Sequence, residues 1–118
     1  MTTFQLYQYR GLVTEVYDGD TCTVDIDLGF KIHFTEVVRL MGINAPELRG
    51  SERPAGLVSR DRLREKVLKQ PIYIETVKDS KEKYGRYLGT LFLQLPDGSF
   101  ENINEWLVAQ GLAVYQEY

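Results

Sequence analysis

Four stretches of the chain carry polar side chains that local structure does not require. Residues 18–21 read Asp-Gly-Asp-Thr, residues 39–47 read RLMGINAPE and residues 83–86 read Lys-Tyr-Gly-Arg. The fourth is a run after Pro54 that contains Arg60, Arg62, Arg64 and Lys66. Their types suit one chemistry. A guanidinium is a planar fork that matches an oxyanion such as phosphate bidentately, carboxylate and amide oxygens are donors for a hard cation, and a glutamate can orient or deprotonate a water. Each stretch also has a plainer explanation. Asp18-Gly19 is the ordinary hairpin-turn dipeptide, Arg39 and Glu47 can form an ion pair at a sheet rim, and charge in a loop or along a helix is usually solvated. Turn chemistry accounts for Asp18 and leaves Asp20 and Thr21, which the pattern puts beyond the tight bend.

The elements that must position these groups follow from periodicity. Residues 10–17 and 20–28 are rich in β-branched and apolar types and read as a hairpin around Asp18-Gly19, and 31–41 is a third extended stretch that stops at Gly42. The period then changes. Pro54 suits the first turn of a helix, and Leu57, Leu63, Val67 and Leu68 fall within about 140° of a helical wheel. Arg60 and Arg64 share that arc, so they must lie at its edge or reach out of it. Residues 72–78 and 87–95 are two further strands joined by a charged loop, and 96–99 is a turn. A last helix begins near Asn102, which has capping-box spacing to Glu105, carries Trp106 and Leu107 inward and ends by Gly111. The order β-β-β-α-β-β is that of the five-stranded Greek-key barrel called the OB-fold: mainly β with α, a helix between strands 3 and 4, and a C-terminal helix.

Composition bounds what such a chain can be. Its 118 residues make one domain, 1–118, and 43% hydrophobic with 12% aromatic residues is the balance of an ordinary globular protein. No apolar run nears the roughly 20 residues of a membrane span, and MTTFQLYQYRGL lacks the basic and apolar regions of a secretory signal, so the expected location is the cytoplasm. A single cysteine, Cys22, excludes an internal disulfide or a multi-thiolate zinc site, and its neighbours mark it as a strand side chain. The net charge of −3 hides an asymmetry. Residues 49–86 hold 11 basic and 6 acidic side chains, against 3 and 7 before them and 0 and 4 after them. Such a stripe can attract a phosphate backbone, although a solvated basic helix face explains it as simply.

In combination, DGDT at 18–21, R-x-x-G-I-N-A-P-E at 39–47, KYGR at 83–86 and N-E-W-L-V-A-Q-G-L-A at 104–113 resemble the staphylococcal nuclease, or thermonuclease, family of OB-fold phosphodiesterases. They occur in that family's order and at compatible spacings. The resemblance implies that Asp20 binds a metal, that Asn44 stands at a second metal-ligand position, and that the Ala45 carbonyl reaches the ion. It likewise implies that Arg39 and Arg86 clamp the phosphate, that Glu47 lies beside the attacking water, and that Lys83 and Tyr84 contact substrate phosphate. Tyr115 and Tyr118 are similar to tyrosines that pack on a base. The implied cofactor is Ca²⁺, suited to an all-oxygen site. The implied substrate is DNA, with RNA a second candidate, single-stranded or frayed and cut without sequence preference to leave 3′-phosphate ends. A monomer with no membrane partner is expected.

Two departures stand out. Most of the family has an aspartate where this chain has Asn44, so one negative charge is lost and weaker calcium binding is expected. Short members, many from bacteriophages, share Asn-x-Pro-Glu, and the amide therefore reads as a subfamily variant of a phage-encoded type. Family members also continue into a further helix where this chain ends at Tyr118. Lone His33 lies in a polar strand and reads as a surface residue. The competing class is a non-catalytic OB module that binds nucleic acid or protein through a decayed metal site; a third is a domain merely stabilised by rim ion pairs. The trio Arg39, Glu47 and Arg86 favours the enzyme, because a binder has little use for it.

Overall fold

The computed structural model describes residues 6–78 and 87–116. Alternating buried and exposed side chains make the first two strands, β1 (Gln8–Asp18) and β2 (Thr21–Asp27), a hairpin whose inner face includes Val13, Val16, Val24 and Ile26. β2 pairs in turn with β3 (His33–Leu40), and Thr21 falls opposite Arg39. A two-residue strand, β4 (Ile43–Asn44), follows the turn at Gly42. The other edge of β1 takes β5 (Pro71–Lys78), which pairs with β6 (Tyr87–Gln94). β6 returns to lie parallel to β3 at Val38, Arg39 and Leu40, and this closes five strands into the expected barrel.

Three short strands lie outside that expectation. β7 (Phe100–Asn102) extends the sheet beyond β6, and β4 pairs with β8 (Val114–Tyr115). Two or three residues are too few for alternation to register, so only tertiary pairing defines them.

A 15-residue helix, α1 (Arg53–Val67), preceded by a 3-10 turn at Gly50–Glu52, lies between the third and fourth barrel strands. Leu63 and Val67 are fully buried, as expected. Leu57 and Leu68, however, are only half-buried, and the rest of the inner face is Gly56 and Ser59. The face is rotated because α1 packs at its start against backbone, where large side chains do not fit. Arg64 does reach out of the arc: its Nε and Nη2 donate to the Val16 carbonyl at 3.1 and 3.0 Å. The second helix, α2 (Ile103–Ala109), is capped as expected, with Asn102 accepting the Glu105 N–H at 3.0 Å. Leu107 is buried, but Trp106 is not wholly inward. It is half-buried beneath Arg62 and Lys66, whose cationic groups lie 5.7 and 4.8 Å from its ring centre. Among the described residues no helix is long and apolar enough to cross a membrane.

Candidate active site

The β1–β2 bend consists of Gly19 and Asp20, with Asp18 paired to Thr21 across it. Asp20 is therefore inside the bend, not beyond it. Asp18 Oδ1 accepts the Asp20 N–H at 3.0 Å, which satisfies the turn and leaves the Asp20 carboxylate to point into the protein. That carboxylate is 4% exposed and heavily engaged. Its Oδ2 meets the Ala45 N–H and Arg39 Nη1, both at 2.8 Å, and its Oδ1 accepts the Thr21 hydroxyl at 3.2 Å.

Arg39 stands at the end of β3 where the barrel closes, and Leu40 N donates to the Asp20 carbonyl at 2.8 Å. Its second terminal nitrogen, Nη2, donates to Asn44 Oδ1 at 3.2 Å and to the Ile43 carbonyl at 3.3 Å. One guanidinium thus bridges Asp20 and Asn44. The ion pair weighed for Arg39 does form, with the buried Asp20 rather than with Glu47.

What holds these segments together is small residues and one amide. A Cβ on Gly19 would come within 2.7 Å of the Cβ atoms of both Ala45 and Ser59, and one on Gly56 would lie 2.3 Å from the Glu47 carbonyl oxygen. The bend that carries Asp20, the segment 45–47 and α1 meet only because Gly19 and Gly56 lack side chains. The Ser59 hydroxyl donates to the Leu112 carbonyl at 2.6 Å and ties the same helix to the chain entering β8. Buried Asn104 accepts the Leu91 N–H at 3.2 Å and donates to the carbonyls of Met41 and Gly89 at 3.0 and 3.1 Å. It pins the turn between Arg39 and Asn44 to β6. None of these four was singled out as a site residue from sequence. The available hints were a glycine and a serine in the first turns of a helix, and a second asparagine just past a cap.

The two aspartates shift in opposite senses. Asp18 is pushed up to about 6, first by burial and then by the neighbouring Asp20. Burial also raises Asp20, but the hydrogen bonds from its Asp18, Ala45 and Arg39 neighbours outweigh it and hold that carboxyl below its ordinary range. Cys22 is fully buried and its thiol is pushed up to about 12, chiefly by desolvation, as befits an inert strand side chain.

The other expected residues distribute unevenly. The Glu47 side chain is 64% exposed and its ion pair, at 4.0 Å, is with Arg49. It stands in solvent beside the network rather than within it. Ala45 contributes its N–H to Asp20. Tyr115 is exposed on β8, next to the Ile43 backbone. Lys83, Tyr84 and Arg86 lie outside the described residues. The basic run of α1 is largely committed within the protein, with Arg60 on Asp61, Arg62 on Gln110, Arg64 on Val16 and Lys66 on Glu101. His33 is on the surface, paired with Asp25 at 3.2 Å.

Among the described residues no group of three or more His, Cys, Asp or Glu side chains is placed to hold a metal. What Asp20, Asn44 and Thr21 offer is oxygen only, a donor set that fits a hard cation such as calcium and not a soft one. Asp20 Oδ2 and Asn44 Oδ1 are both held by Arg39, so a cation taking either must share it with the guanidinium or displace it, whereas Asp20 Oδ1 meets the Thr21 hydroxyl.

At one end of the closed five-stranded OB barrel, a buried aspartate, an arginine fork and an amide thus stand together. A family model described as staphylococcal nuclease homologue matches residues 37–118. A thermonuclease of Staphylococcus intermedius is 31% identical over 105 residues, which is 86% of this chain and 56% of that protein. The chain spans little more than half the length of that curated relative. It belongs to the staphylococcal nuclease family.

Proposed function

We propose that this chain is a calcium-dependent nuclease that hydrolyses the phosphodiesters of DNA, with RNA as a second substrate and with little sequence preference. The observation that supports it best is the Arg39 fork, anchored on Asp20 at 2.8 Å and resting on Asn44 at 3.2 Å. The stronger contact fixes the guanidinium. The longer, neutral one can be exchanged for a phosphoryl oxygen without breaking the ion pair. A guanidinium held in this way adds charge stabilisation as the phosphoryl oxygens become more negative in the transition state.

Asp20, Asn44 and the Ala45 carbonyl would hold the ion, and bound calcium would supply a further positive charge at the phosphate. Arg86 is the second clamp in this reading, and Lys83, Tyr84 and Tyr115 contact the substrate. Glu47 accepts the proton of the attacking water; its exposure leaves it accessible to solvent water, and substrate must cover it. Cleavage leaves 3′-phosphate ends, as in the family it belongs to. Contacts to backbone phosphates dominate binding, so affinity falls steeply with salt.

Incubation of single-stranded DNA with the protein in millimolar calcium, with EDTA as control, tests this directly. Cleavage in calcium that stops in EDTA is expected. Cleavage unchanged by EDTA refutes the metal role. One observation favours a second reading: the amide at Asn44 leaves Asp20 with few anionic partners, and a protein that binds oligonucleotide yet never cuts it is then a binding module.

A further inference from the structure

The outer face of β1, β5, β6 and β7 carries aromatic side chains where a sheet facing water ordinarily carries polar ones. The register places Arg10 opposite Tyr73, and Tyr73 opposite Phe92, in one row across three strands. The Arg10 guanidinium lies 5.8 Å from the Tyr73 ring centre, and Phe100 meets Tyr73 edge-on with centroids 5.2 Å apart and planes at 89°. Phe100 is 52% exposed. Two cavities flank this row. One, of about 480 Å³, is bounded by Gln8, Arg10, Tyr73, Glu75, Phe92 and Phe100. The other, of about 440 Å³, is bounded by Arg10, Gln70, Pro71, Tyr73, Leu93 and Gln94. Arg10 and Tyr73 line both and form the wall between them.

We infer that this face is a track for two neighbouring bases of single-stranded nucleic acid, one in each cavity, with the Arg10–Tyr73 wall between them. Flat rings suit walls built from an aromatic face and a guanidinium, because every base has a π-face to offer. Two residues along a strand cover about 6.7 Å, twice the roughly 3.4 Å rise per nucleotide in a duplex strand. Bases on either side of one residue row are therefore pulled off each other and stack on protein instead, which a duplex does not permit. The polar partners select bases over phosphate. Glu75, bonded to Gln8 at 2.8 Å, repels a phosphate but accepts an N–H, and amino-bearing bases are favoured there over thymine, whose single N3–H is flanked by two carbonyls that repel the carboxylate. Among the described residues Arg10 is the one cation lining either cavity, so salt is expected to affect this site weakly. The inference rests on the nuclease reading only for the choice of ligand.

The test is a titration of ¹⁵N-labelled full-length protein in EDTA with a single-stranded adenine and guanine hexanucleotide, its duplex, oligothymidine and free guanosine. Amide shifts at residues 8–11, 70, 72–75 and 92–94 with the single strand, and none there with the duplex, are expected. Phe100→Ala should weaken that binding roughly 5- to 160-fold, the span of one base–aromatic stack, and Phe100→Trp should restore it. Glu75→Gln should erode the preference over oligothymidine, and the salt slope should be no steeper than about that of one phosphate. Shifts confined to the region of Asp20, Arg39 and Asn44 overturn the proposal. So does wild-type affinity in a folded Phe100→Ala protein, or guanosine binding as tightly as the hexanucleotide. A protein that shows these shifts but never cuts DNA in calcium loses the nuclease reading and keeps the track.

Discussion

Gly56→Ala sets two local preferences against each other, and the geometry decides which wins. Alanine in place of glycine inside a helix is ordinarily worth about 1 kcal/mol of added stability. Here the new Cβ would lie 2.3 Å from the Glu47 oxygen and 2.8 Å from the Glu47 carbonyl carbon. Ordinary contact needs roughly 1 Å more than the first of these. Both atoms belong to backbone, so no rotamer change relieves the clash, and overpacking of this kind costs about 1–3 kcal/mol. A net loss of up to about 2 kcal/mol is expected, which at this chain length lowers Tm by as much as roughly 8 °C. The larger effect falls on chemistry. Segment 45–47 carries the Ala45 N–H on Asp20 as well as Glu47, and a displacement near 1 Å in a catalytic group costs about 100-fold in rate. The assay is thermal denaturation beside calcium-dependent cleavage of single-stranded DNA, with Ala55→Gly at the exposed neighbour as control. That control should lose only the propensity, about 1 kcal/mol, and keep its activity. A Gly56→Ala protein that is more stable and fully active would show that α1 does not press on the Glu47 backbone.

Asp20→Ala removes the acceptor of both the Ala45 N–H and Arg39 Nη1 and should cost about 3–5 kcal/mol, the range for breaking a buried pair; an unfolding free energy from urea denaturation within about 1 kcal/mol of wild type would contradict the network. Asn44→Asp adds a carboxylate 3.2 Å from Arg39 Nη2 and should tighten calcium binding in calorimetry, whereas unchanged affinity would place residue 44 outside the coordination shell. In EDTA, Asp18, pushed up to about 6, contributes stability that is complete below its ordinary value near 4. That contribution is lost as pH rises through about 6, so Asp18→Asn should gain on wild type between pH 4 and 7. Parallel pH–stability curves for the two proteins would refute the shift. Glu47→Gln should lower kcat far more than it weakens DNA binding, and equal losses would make Glu47 a structural residue.

The barrel strands, both long helices and the Asn102 cap were legible in the chain because each rests on a local period or a local hydrogen bond. Leu63 and Val67 are buried where the helical wheel puts them. So were the residue types of the site. Asp20, Arg39, Asn44 and Ala45 were named from the resemblance their motifs carry, and the fold brings them together.

Which oxygen meets which nitrogen was not legible. Arg39 and Asp20 are 19 positions apart and become partners only because β2 and β3 align Thr21 with Arg39 across the sheet. Gly56, Ser59 and Asn104 have no local reason to matter, since their roles are contacts with segments distant in sequence. The short strands β4, β7 and β8 depend in the same way on a neighbour's edge. Sequence by itself determined the elements and the chemical inventory, because backbone preference and side-chain type act over a few residues. Only the tertiary structure decided that Arg39 would grip Asp20 and leave Glu47 in solvent, because that choice is made by barrel closure and by the space a missing Cβ leaves.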